Sequence, residues 1–291
     1  MTRRLGSSHG QESIQRRTAA AERAPRLVPC LTTEPPDDRA GEAEVRRHRR
    51  PADRTGNESA PEYTRKHRLP ARGGRAGIGH IDTAHTYTGG ESEETIGEAL
   101  SPTPRQCIVA TKGGWASGRP DALRTEIEES LRRLRTDSIP LYYLHRPDPD
   151  TRLEDSLATI KEYHDAGTIR HVGVSNVSID QVEQARAVLP ITAVQNSYSL
   201  SERHHEDVVD YCATEGIVFV AYFPLRAAAD TTLFEIAKRH NATNAQIALA
   251  WLLKRSPTML PIPGTLSLDH LNENLTAPEI ELSDADFQAL R

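Results

Sequence analysis

Residues 76–291 of this 291-residue chain predict an α/β fold of the (β/α)8 TIM-barrel type, and three observations carry that expectation. Short apolar runs alternate with amphipathic helical patterns seven times over roughly 200 residues, the pattern of a parallel sheet with helices outside. Polar, reactive side chains recur where successive strands end: Asp82, Lys112, His145, Ser175-Asn176, Gln195-Asn196 and Tyr222. In a closed barrel those ends converge on one face, whereas an open sheet spreads them along an edge. No G-x-G-x-x-G follows any strand, so a doubly wound dinucleotide fold has no support.

The elements follow in order. Gly77–Asp82 reads as a strand and Glu91–Leu100 as a helix; Gln106–Lys112 is a strand (Ile-Val-Ala-Thr-Lys), and Pro120–Leu134 a helix with Asp121 near its start. Ile139–His145 is a strand, and Leu153–Ala166 a helix stopped by Gly167, because glycine takes the left-handed turn that ends helices. Ile169–Val174 is a strand, and Ser178 caps a helix running to Val188. Thr192–Asn196 is a strand, and Glu202–Glu215 a helix ended by Gly216. Ile217–Tyr222 is a strand, Thr231–His240 a helix, and Thr243 or Asn244 opens another through Lys254. Thr258–Ile262 is the last strand, followed by helix Ser267–Asn274 and a short helix after Ser283.

Residues 1–75 read differently. They hold 17 Lys+Arg against 10 Asp+Glu, whereas the rest holds 19 against 31. Neither a 3.6 nor a 2.0 period is visible up to residue 70, and runs such as Arg46-Arg47-His48-Arg49-Arg50-Pro51 bury too little apolar surface to offset ordering entropy. We expect a disordered Arg-rich segment there and a separate domain over 76–291. The net charge of −5 gives no nucleic-acid footprint. Cys30, Cys107 and Cys212 form no zinc or disulfide spacing, and no apolar run reaches the length of a membrane span. A cytoplasmic protein with no metal, no nucleic acid and no membrane partner is the expectation.

The strand-end residues suggest a chemistry. A free tyrosine titrates near ~10, and an adjacent ammonium favours its phenolate. Lys112 is placed to do this for Tyr87, with Asp82 fixing the lysine and His145 polarising a substrate carbonyl. That is a tuned proton donor beside an electrophilic pocket, suited to carbonyl reduction with hydride from a cofactor.

Asp82-Thr83-Ala84 with Tyr87, Lys112 after Ala110-Thr111, and His145 after Tyr142-Tyr143-Leu144 resemble the Asp/Tyr/Lys/His tetrad of the aldo-keto reductases. Arg170-x-x-Gly173-Val174-Ser175-Asn176 resembles that family's strand-5 signature. The resemblance implies that Ser175, Asn176 and Gln195 bind the nicotinamide carboxamide. It implies that Tyr222-Phe223-Pro224-Leu225 supplies the aromatic stacked on the nicotinamide ring. It also implies that Gly264-Thr265, His270 and Glu273-Asn274 hold the adenosine 2′-phosphate. The implied cofactor is NADP(H). NAD(H) stays open, because many members have Lys and Arg where Gly264 and His270 stand, although Thr265 and a helix start at Ser267 suit a phosphate. Substrate choice belongs to loops 113–120, 146–152 and 223–230, with Trp115 as a candidate wall.

The family's first strand and helix should precede Gly77, and an atypical segment of about 75 residues stands in their place, so the barrel is expected to be incomplete and turnover weak or absent. A nicotinamide-binding sensor or regulatory subunit with the same barrel is the alternative. Cofactor binding without turnover on any carbonyl would favour it.

Overall fold

The computed structural model describes residues 79–101, 107–227 and 230–290. The expected disordered segment, residues 77 and 78 of the first strand, and Gln106 therefore lie outside the described residues. Within them, strands and helices alternate: β1 (His80–Asp82), α1 (Glu91–Leu100), β2 (Ile108–Gly113), α2 (Pro120–Arg133), β3 (Ile139–Leu144), α3 (Leu153–Asp165), β4 (Ile169–Ser175), α4 (Ile179–Val188), β5 (Ala193–Ser197), α5 (Glu206–Glu215), β6 (Val218–Tyr222), α6 (Thr231–Arg239), α7 (Asn244–Arg255), β7 (Met259–Pro261), α8 (Leu268–Thr276) and α9 (Asp284–Ala289). The strands form one parallel sheet in chain order, β1 to β7. Its order never reverses, so it curls as the arc of a (β/α)8 barrel and lacks the switch point of a doubly wound sheet.

Strand parity decides which residues reach the barrel interior, since successive side chains alternate faces. Val109, Tyr142, Val172, Val174, Val194 and Phe219 face the helices, where they are fully buried. Most of this outward set packs against Leu123, Ile127, Leu157, Ile160 and Val209. Each such side chain contributes roughly 1.5–3 kcal/mol by leaving water. The opposite parity lines the interior: Ala110, Leu141, Tyr143, Ala193 and Val220 form an inner cluster with Ile262. Asp82, Lys112, Ser175, Gln195 and Tyr222 share that inner parity, nearer the C-terminal ends of their strands. Asn196 has the outer parity, and its side-chain amide bonds Val177 at both ends, from the Val177 N–H at 3.1 Å and to its carbonyl at 2.8 Å. It is a structural clip between β4 and β5.

Gly173 on β4 shows how tightly the interior is filled. A Cβ there would overlap the Tyr143 ring of β3 and lie 2.8 Å from the Ala193 carbonyl oxygen of β5. Gly173→Ala is expected to destabilise the fold by roughly 1–3 kcal/mol, read as a lowered urea midpoint. An unchanged midpoint would contradict this packing.

Helix starts follow the expected chemistry. Ser178 with Gln181 and Thr243 with Gln246 form capping boxes, while Ser267 and Ser283 each accept one backbone N–H. Most boundaries shift by one or two residues, and the largest difference is that α5 begins at Glu206 rather than Glu202. Local bonds hold residues 199–203 in a turn first, with the Glu202 N–H on Ser199 Oγ at 3.2 Å and Arg203 Nε on the Leu200 carbonyl at 3.0 Å. Among the described residues no helix is long and apolar enough to cross a membrane.

Candidate active site

Tyr87 opens a 3-10 turn, Tyr87–Gly90, that feeds into α1. Thr88, Gly89 and Gly90 all have positive φ (49°, 65° and 103°). Such a run is costly for ordinary side chains and cheap for glycine. The doubled glycine thus sets the turn that presents Tyr87.

Lys112, at the end of β2, is the hub. Its ammonium is fully buried and donates to the Asp82 carboxylate, to the Thr83 carbonyl at 2.9 Å and to the Tyr87 hydroxyl at 3.3 Å. Asp82 is held from its other side by Gln195 Nε2 at 2.7 Å, a bond spanning the barrel from β5. Burial disfavours the lysine charge, but Asp82 and Tyr87 more than offset it and hold the pKa above the usual lysine range. A lysine so held is a charged hydrogen-bond donor and not a free amine nucleophile.

His145 follows β3 directly and closes the set, its ring 5.9 Å from that of Tyr87 and nearly perpendicular to it. Burial first, then the charges of Lys112 and Arg146, push its pKa well below the ordinary imidazole range. The ring is therefore neutral and keeps one N–H to offer. Trp115, 47% exposed, stands over the other side of this corner with its ring 4.7 Å from His145.

A second cluster adjoins the first. Ser175 Oγ donates to the Gln195 carbonyl at 2.7 Å. Asn176 Nδ2 donates to the His145 carbonyl at 3.0 Å, and Tyr222 Oη donates to Asn176 Oδ1 at 2.7 Å. Asn176 takes φ 60°, a conformation that asparagine tolerates better than most residues. Phe223 takes φ 49°, at a cost of about 1–2 kcal/mol for a bulky side chain. It turns the chain sharply off β6 and sets its ring 5.1 Å from that of Tyr222.

Further along the rim a groove of about 740 Å³ opens between α6, the start of α7, and the segment entering α8. Leu225, Gly264, Thr265, His270, Glu273 and Asn274 all line it, whereas Phe223 and Pro224 do not. The candidate set thus divides into a tetrad, an adjoining amide cluster and a separate groove.

Several neighbours escape a reading by strand ends. Lys238 of α6 lines the groove and has no acidic partner among the described residues. His85 bonds Glu129 at 2.7 Å, and Arg133 reaches the same carboxylate at 3.0 Å. Arg133 also donates to the His85 carbonyl at 3.2 Å, which clamps the chain two residues before Tyr87. The Thr83 carbonyl is a main-chain acceptor that no residue type announces. Arg146 alone carried a signal, as a charge directly after the strand end at His145.

A family model described as the aldo/keto reductase family matches residues 71–291. An uncharacterized oxidoreductase of Schizosaccharomyces pombe is 41% identical over 226 residues, covering 73% of this chain and 74% of its own length. A thermostable aldo-keto reductase solved with the inhibitor epalrestat superposes with a TM-score of 0.76 at 36% identity, over 80% of this chain and 88% of that one. An aldo-keto reductase from Klebsiella pneumoniae, solved with NADPH, gives a TM-score of 0.73 at 28% identity, over 80% and 86%.

Proposed function

The chain belongs to the aldo/keto reductase family, and from that premise we propose that it is an NADP(H)-dependent oxidoreductase that reduces an aldehyde or ketone to an alcohol, with Tyr87 as the general acid. One observation carries the reading. A buried ammonium, Lys112, is bonded at once to Asp82, the Thr83 carbonyl and the Tyr87 hydroxyl, with a neutral imidazole beside it. The Klebsiella relative binds NADPH in its solved structure. The residues present here fit the same cofactor. Ser175, Asn176 and Gln195 offer amide and hydroxyl partners beside the tetrad, and the groove brings Lys238, Thr265 and His270 together, a donor set suited to a phosphate.

When bound, NADPH supplies the hydride. The chain's own residues do the rest. His145 donates its N–H to the substrate carbonyl and orients it toward Tyr87. Tyr87 gives its proton to the oxygen as negative charge develops there. Lys112 stabilises the phenolate left behind, and Asp82 with the Thr83 carbonyl keeps the ammonium in place. Trp115 walls the corner and limits water.

The reading fixes a pH dependence. His145 must be neutral, and its pKa is depressed, so activity should persist as pH falls through ~6.5, the ordinary imidazole value. The unfolded chain takes up that proton first, so this group's contribution to stability falls as pH drops below ~6.5. A kcat/KM profile that collapses with an ionisation near ~6.5 would contradict a neutral His145.

Turnover is proposed to be slow, because residues 1–70 carry no strand period to supply the eighth strand and its loop. Assay of the purified full chain with NADPH and a set of aldehydes tests both parts. A rate within the common enzyme range of roughly 1–10³ s⁻¹ would remove the slow-turnover element and leave the chemistry. For the cofactor, His270→Arg is expected to raise NADPH affinity relative to NADH about 10-fold, by placing a permanent cation at the groove. An unchanged affinity ratio would place the 2′-phosphate elsewhere.

A further inference from the structure

Arg146 is a charged group at the site that the proposed chemistry does not use. It follows His145 directly, and it is only partly exposed. Two contacts hold it: Nε donates to the Trp115 carbonyl at 2.8 Å, and the guanidinium lies over the Trp115 ring with Cζ 5.0 Å from the centroid. The same indole lies 4.7 Å from the His145 ring, tilted at 54° to it. The guanidinium is thus one indole ring away from the carbonyl-polarising imidazole, on the loop face expected to choose the substrate.

Its charge helps to lower the pKa of the nearby Asp148 carboxylate but is not consumed in an ion pair among the described residues. A guanidinium has five N–H donors, and only Nε has a bonded acceptor among the described residues. The nearby carboxylate is Asp148, whose oxygens accept other donors. Gly118 N donates at 2.6 Å and Thr151 Oγ at 3.0 Å to Oδ2, and Asp150 N donates at 3.0 Å to Oδ1. No ion pair joins Arg146 to any acid among the described residues. The other charges in this corner, Lys112 and Asp82, neutralise each other. A stacked, pre-oriented guanidinium with open donors matches carboxylate or phosphate oxygens in fork geometry.

Resting on the carbonyl-reductase reading, we propose that Arg146, held by Trp115, is a substrate-anion site, and that the preferred substrates are aldehydes or ketones carrying a carboxylate or another anionic group away from the reacting carbonyl. Arg146 binds that distal group while His145 and Tyr87 take the carbonyl. It sets specificity and takes no part in the proton transfer.

The test compares two aldehydes of the same shape, anionic 4-carboxybenzaldehyde and neutral methyl 4-formylbenzoate, on the full chain with NADPH. The wild type is expected to favour the carboxylate in kcat/KM, and added salt should shrink that preference. Arg146→Met should lower the anionic-to-neutral ratio about 10- to 100-fold, mostly through KM, and Arg146→Lys should recover part of it. A ratio unchanged in Arg146→Met would overturn the proposal. Calorimetry with terephthalate separates this site from the reading it rests on. If neither aldehyde turns over, yet terephthalate binds the wild type and not Arg146→Met, the anion site stands and the reductase reading falls. If terephthalate binding is absent or equal in both proteins, the anion site falls.

Discussion

Tyr87→Phe should cut the reduction of any accepted aldehyde by about 10²- to 10⁴-fold, the range spanned by a positioned general acid, with little change in KM or in NADPH affinity. The change removes one oxygen from a ring that is 9% exposed. Lys112 keeps its bonds to Asp82 and the Thr83 carbonyl, which hold the ammonium in place. The loss should therefore fall on kcat, as expected for a group whose contribution arises in the transition state. Steady-state kinetics and NADPH fluorescence titration check it. A loss under tenfold would move the proton donor elsewhere, and a loss confined to KM would make Tyr87 a binding residue.

Lys112→Met has the second large expected effect, and it acts first on the fold. Both partners of the Lys112–Asp82 pair have side chains with no exposed surface. Removing the cation leaves a buried carboxylate without its charge partner, at a cost of about 3–5 kcal/mol. Chemical unfolding should show this as a lowered midpoint. The double variant Asp82→Asn with Lys112→Met leaves no buried charge, and should regain more than half of the lost stability while remaining inactive. A double variant as unstable as the sum of its singles would mean that the two groups do not act as a pair. The sign of the pH effect follows from the raised lysine pKa. The lysine's contribution is fully present below its unfolded value of ~10.4, and is lost as pH rises through the still higher folded value.

Much of this site was legible because strand alternation is rigid. Once β1 and β2 are assigned, parity sends Asp82 and Lys112 to one face and Ile81 and Thr111 to the other, whatever else the chain does. The capping residues Ser178, Thr243, Ser267 and Ser283 were equally direct, since each satisfies local backbone donors. What stayed hidden depends on long-range pairing. The Gln195–Asp82 bond joins residues far apart in sequence and across the barrel, and nothing local to either announces it. The His85–Glu129–Arg133 clamp needs α2 to lie beside the Tyr87 turn. The groove likewise unites Lys238 of α6 with the 264–274 segment only after the helices pack. The start of α5 was misplaced for a different reason. Glu202–His205 is compatible with helix, but the side chain of Ser199 and the carbonyl of Leu200 offer closer partners, and the local turn prevails.

The central claim is that Asp82, Tyr87, Lys112 and His145 form one reducing centre working with NADPH. Label transfer tests it most directly and does not depend on a fast rate. The full chain is mixed in excess with NADPH deuterated at both C4 positions and 4-nitrobenzaldehyde or 4-carboxybenzaldehyde, and the alcohol is read by mass spectrometry. The expected result is an alcohol with one deuterium on its carbinol carbon, formed about 10²- to 10⁴-fold more slowly in Tyr87→Phe. Alcohol without deuterium, no alcohol from either aldehyde, or equal rates in the two proteins would contradict it.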